Sequence, residues 1–93
     1  MEEKVFFISG KIEIEGLLQT GTIDTGIVIT HPHPLYGGDM RNAVVETIQR
    51  SACKKGYATL RFNFRGVGES QGHHEDGIGE QKDVRSADRK SVV

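Results

Sequence analysis

The residues able to do chemistry in this 93-residue chain fall in a few short stretches. Thr25 to Gly38, TGIVITHPHPLYGG, carries His31 and His33 alternating with Pro32 and Pro34 where an apolar run ends. In an α/β protein such a strand end lies on the side of the sheet where ligands bind, because the strand holds an exposed loop rigid. Gly68-Glu69-Ser70-Gln71-Gly72 matches the G-x-S-x-G pattern of a nucleophile elbow letter for letter. That pattern works only where a strand turns at once into a helix and exposes the serine. Here Arg65 to Gly68 intervenes, and Gly72 to Gly77 is no helix start, so Ser70 reads as a loop residue. Gly66 and Gly68 likewise fail as a dinucleotide fingerprint, because the third glycine is misplaced.

Two histidine clusters invite a metal. His31-x-His33 has the spacing of paired ligands, and His73, His74, Glu75 and Asp76 offer further nitrogen and carboxylate donors. The prolines beside His31 and His33 restrict that loop, and 73–76 reads as a solvated polar stretch, so no metal is expected. Arg61, Asn63 and Arg65 alternate along RFNFR and could bind an anion. Such residues more often pair with loop carboxylates or backbone carbonyls. The lone Cys53 falls in a helix and reads as a small core residue.

The elements that must position these residues follow from the periods. Val5 to Ser9 and Lys11 to Gln19 read as two strands about a tight turn at Ser9-Gly10. Lys11 to Glu15 alternates strictly, which predicts one solvated face and an antiparallel pair near a sheet edge. Gly26 to Ile29 is continuously apolar, as in a strand covered on both faces. Asn42 to Lys55 reads as a helix with an apolar stripe of Val44 or Val45, Ile48 and Ala52, capped by Asp39 or Asn42 and stopped at Gly56. Tyr57 to Phe64 is a further strand with Leu60, Phe62 and Phe64 on one face. Arg65 to Gly79 is a glycine-rich loop, and Glu80 to about Lys90 a weak helix. A hairpin followed by strand–helix–strand implies an α/β fold with a parallel crossover, its sheet incomplete and its edge open after Tyr57–Phe64.

Composition excludes several classes. Hydrophobic residues make up 35% and charged residues 27%, with no apolar run of membrane-spanning length. A net charge of -1 and the lack of a basic stripe argue against nucleic acid. MEEKVFFISG makes a poor signal peptide, and a single cysteine allows no internal disulfide, so a cytoplasmic protein is expected.

THPHPLYGG after an apolar strand, then a helix, then ATLRFNFRGVGES, resembles the N-terminal portion of the α/β-hydrolase superfamily. The likeness is nearest to the small bacterial hydrolases with a His-Pro-His-Pro loop. It runs from about Val5 to Ala87 and covers the first half or less of such a domain. Residues 88–93, DRKSVV, depart from the pattern as an atypical tail, as in a truncation or frameshift product. The resemblance implies a larger, mostly parallel sheet and a Ser–His–Asp triad that acts on an ester or related acyl bond without a cofactor. Nucleophile, acid and general base are all expected beyond Val93, so this chain by itself is expected to be inactive. What the resemblance carries over is an oxyanion-hole loop. His33 would present the backbone N–H, since Pro32 and Pro34 cannot donate. His31, Leu35, Tyr36 and Gly37 would lie on the substrate side. The rival expectations are a non-enzymatic module that pairs with a complementary chain or with itself through the open sheet edge, and a small metal-binding protein.

Overall fold

The computed structural model of the chain describes residues 1–34 and 38–92. Its elements are β1 (Glu3–Ser9), β2 (Ile12–Gln19), β3 (Gly26–Ile29), α1 (Ala43–Lys54), β4 (Ala58–Phe62) and α2 (Ile78–Val92). β1 and β2 form an antiparallel hairpin from Glu3↔Leu18 to Ser9↔Ile12. Its turn therefore lies at Gly10-Lys11, one residue later than the sequence suggested, where Gly10 adopts a φ of 63° that favours glycine.

β4 enters the sheet between the hairpin and β3, giving the order β1-β2-β4-β3. It runs antiparallel to β2 and parallel to β3. The open edge expected after Tyr57–Phe64 is thus corrected. β4 is paired on both sides, and among the described residues the unpaired edges belong to β1 and β3. β3 is correspondingly less covered than its apolar run predicts, since only Ile29 is buried.

α1 begins where the Asn42 side chain accepts the Val44 N–H at 2.9 Å. Asp39 instead caps a turn just before the helix, accepting the Arg41 N–H. At its end the N–H of Tyr57 reaches the Ala52 carbonyl and the N–H of Gly56 that of Cys53. This is the Schellman arrangement, made possible by Gly56 at a φ of 90°. The buried stripe is Val45, Gln49 and Ala52 rather than Val44 and Ile48. Gln49 earns its buried place by donating to Thr59 Oγ1 and Gln19 Oε1. Val44 and Ile48 are left exposed at 65% and 44%. Cys53 is half-buried, its sulfur accepting a hydrogen bond from Gln19.

The alternation along β4 separates two layers. Leu60 and Phe62 face α2 and pack with Phe7, Ile14 and Ala87 as the apolar core, with Phe64 against its rim. Phe62 meets Phe7 and Phe64 edge to face at 5.7 and 5.1 Å between centroids. Thr59 and Arg61 face the α1 side. The solvated face predicted for β2 holds at Glu13 but not at Glu15, which is only 4% exposed. The loop after β4 folds over Glu15, whose carboxylate accepts from Asn63 Nδ2 and the Glu69 N–H. α2 buries a polar stripe of Glu80, Asp83 and Ser86 beside Ala87. Its low apolar content explains why the sequence marks it only weakly, and it extends past both expected ends.

Candidate functional site

The end of β3, the segment that follows it and the N-terminus of α2 enclose a cleft of about 460 Å³. Pro32, Pro34 and Phe64 give it apolar walls, and His31, His33, His74 and Glu80 its polar groups. The C-terminal ends of the parallel strands β3 and β4 both lie on this side, beside the cleft.

His31 is buried at its root. Its Nε2 lies 3.0 Å from the Phe64 N and accepts that N–H, so Nδ1 carries the proton and donates to the Pro32 carbonyl at 2.7 Å. The ring also meets Phe64 edge to face at 4.9 Å. Both nitrogens are therefore used in tying the β3–α1 loop to the end of β4. Burial pushes the imidazole below its ordinary pKa of 6.5, only partly offset by the Pro32 carbonyl. The folded state then binds fewer protons at His31 than the unfolded chain does. Its contribution to stability is complete above about pH 6.5 and falls as the pH drops below that value. Urea midpoints compared between neutral and mildly acid pH should show this loss in the parent chain and a flatter profile in His31→Gln. An equal slope in both would assign the loss to other groups.

His33 is exposed beside His31, and its carbonyl accepts the Gly38 N–H at 3.2 Å. A Cβ on Gly38 would collide with the Pro32 carbonyl, so only glycine lets the chain pass this close to the loop. Leu35, Tyr36 and Gly37, named above for the substrate side, lie outside the described residues.

The loop after β4 is fixed by a polar network. Arg65 donates from Nη2 to Asp83 Oδ1 at 2.8 Å and from its backbone N to Oδ2 at 2.9 Å. Asp83 also accepts the Ser9 hydroxyl at 2.6 Å, and Glu75 takes another Arg65 nitrogen. Arg61 binds Glu2 with two nitrogens and the Met40 carbonyl with a third. Asn63 joins Met40 N–H to Glu15. All three residues considered for an anion are thus engaged with the protein's own groups. No buried side-chain nitrogen or oxygen is left without a partner among the described residues.

Ser70 is part of the same lock. Its hydroxyl donates to the Asn63 carbonyl at 2.6 Å and accepts the Glu15 N–H at 3.0 Å, at 7% exposure. No strand-to-helix elbow surrounds it, because α2 starts only at Ile78. Its role is to seat the loop on β2. The histidines and acids do not converge as a metal centre either. No group of three or more such side chains is placed to hold an ion among the described residues, and both His31 nitrogens are taken. The structure adds what the sequence missed: His74 meets His33 edge to face, and Glu80 reaches back into the cleft from α2.

No family model matches the chain. It is 40% identical over 86 residues to an uncharacterized protein of Rickettsia prowazekii, covering 90% of this chain and 36% of that one. Among solved structures, an α/β serine hydrolase homologue from Coxiella burnetii matches 95% of this chain at 36% identity with a TM-score of 0.89. A lidless α/β serine hydrolase from Xanthomonas campestris matches 96% at 28% identity and a TM-score of 0.84. The chain spans 44% and 43% of those two proteins. It has the fold of the N-terminal portion of the α/β hydrolases, with the sheet not closed. Among the described residues, no helix is long and apolar enough to cross a membrane.

Proposed function

We propose that the chain supplies the N-terminal scaffold and oxyanion-hole loop of an α/β-hydrolase-type serine hydrolase acting on an ester or related acyl bond of a small molecule in the cytoplasm. The observation that carries this reading is the stiff Pro32-His33-Pro34 segment at the parallel strand end, anchored by His31 to β4 and facing an apolar-walled cleft. In this reading the His33 N–H meets the developing oxyanion, with His31, Leu35, Tyr36 and Gly37 beside the substrate. The 93-residue chain alone does not hydrolyse esters, because its elbow-like serine, Ser70, is spent on backbone hydrogen bonds. The experiment joins this chain to the part of the Coxiella protein that lies beyond the matched segment and assays p-nitrophenyl acetate. Hydrolysis by the chimera but not by the chain alone supports the reading. A chimera that folds and shows no turnover contradicts it.

A second reading, an interaction module without activity of its own, is favoured by the unpaired edge of β3. Ile27 there adjoins Ile48 and Tyr57 in a shallow apolar hollow, and a parallel strand with such a margin suits pairing with a complementary segment. The two readings are compatible, since that segment could bring the nucleophile. The metal-binding alternative gains nothing from the geometry.

A further inference from the structure

We propose that His74 is a positioning residue, holding the His33 segment of the β3–α1 loop against the N-terminus of α2. The two imidazoles meet edge to face, with centroids 4.6 Å apart and planes at 67°. His74 lies beside two carboxylates. Its Nδ1 lies 3.0 Å from Glu80 Oε2 and its Nε2 3.3 Å from Asp76 Oδ1. Glu80 is in turn fixed at the helix start, where Oε1 accepts the Gly77 N–H at 3.1 Å and Oε2 the Glu75 N–H at 3.0 Å. Burial alone would raise the Glu80 carboxyl, but these backbone N–H groups and His74 outweigh it and keep the group ionised below the ordinary range. An imidazole set beside a fixed carboxylate at its Nδ1 presents a defined ring orientation to its neighbour.

The line of contacts thus runs from the α2 backbone through Glu80 and His74 to His33. On its other side, the His33 carbonyl is held by the Gly38 N–H. The prolines stiffen the loop and His31 ties it to the end of β4, and the His74 ring adds a contact between His33 and the side of α2. The catalytic meaning of this coupling rests on the oxyanion reading of His33. There, a donor displaced by about 1 Å costs on the order of 10²-fold in rate.

The test is nuclear magnetic resonance on the full chain without any substrate. A ring-to-ring cross-peak between His33 and His74 is expected in the unaltered protein. His74→Ala should lower the backbone order parameter at His33 from about 0.85 to below about 0.6, while Thr59 to Phe62 stay unchanged. His74→Phe, which keeps the ring without its tethers, should give an intermediate value. Unchanged order at His33 in His74→Ala overturns the proposal. If that variant does not fold, the cross-peak in the unaltered chain decides, and its absence overturns the proposal equally. Because no acyl chemistry enters the measurement, a failure of the oxyanion reading would leave this coupling standing.

Discussion

Asp83→Ala is expected to cost about 3–5 kcal/mol, the loss typical of breaking a buried ion pair from one side. Asp83 is fully buried and serves three donors at once: the Arg65 guanidinium, the Arg65 backbone N–H and the Ser9 hydroxyl. Truncation leaves a charge and two polar groups in a site that water cannot reach, and Glu75 compensates at only one Arg65 nitrogen. Folded domains are stable by roughly 5–15 kcal/mol, and one this small lies toward the lower end, so most of its stability is at stake. Asp83→Asn keeps an acceptor for Ser9 and the Arg65 N–H and should lose less. Urea unfolding followed by circular dichroism measures both, and a loss below about 1 kcal/mol for the alanine variant would show that the pair is dispensable.

In the Coxiella chimera, His33→Pro is expected to lower kcat by about 10²–10³-fold, the usual effect of deleting one oxyanion donor. Proline is the substitution that removes a backbone N–H, and His33→Phe, which keeps both the N–H and a ring for His74 to meet, is the necessary control. If the N–H is the working group, phenylalanine loses far less than proline at equal thermal stability. Equal losses would assign the effect to the imidazole or to loop disruption, and would remove the oxyanion role.

Much of the architecture was legible because it is written in hydrophobic period. The hairpin, the helix over Ala43–Lys54 and the strand at β4 all lie where apolar spacing and caps placed them. What escaped was set by tertiary context. Glu15 looks solvated in a strictly alternating strand, yet a loop fifty residues on folds over it and satisfies its carboxylate. Of the stripe of Val44 or Val45, Ile48 and Ala52, the helix buries Val45 and Ala52 but turns Gln49 inward in place of Ile48, because Thr59 and Gln19 await its amide. The position of β4 between β2 and β3 could not be read from a linear order of strands, so the open edge was assigned to the wrong strand.

The site was legible in part for the same reason. A His-Pro-His-Pro run after an apolar strand announces a stiff loop at a strand end, and a cleft lies beside it. The alternation of Arg61, Asn63 and Arg65 was rightly suspected of structural duty, and each has its protein partner. The contacts of His33 with His74 and of His74 with Glu80 had no signal at all, because His74 and Glu80 belong to a polar loop and a helix whose apolar period is faint.

The proposed function is that of a chain that supplies an oxyanion-hole loop while its Ser70 serves the fold rather than the chemistry. Intact-mass analysis after treatment with a fluorophosphonate, beside a Ser70→Ala control, tests this most directly. The buried, doubly bonded hydroxyl of Ser70 predicts no adduct on either protein. A stoichiometric adduct on the parent chain that vanishes in Ser70→Ala would make Ser70 a nucleophile and contradict the account.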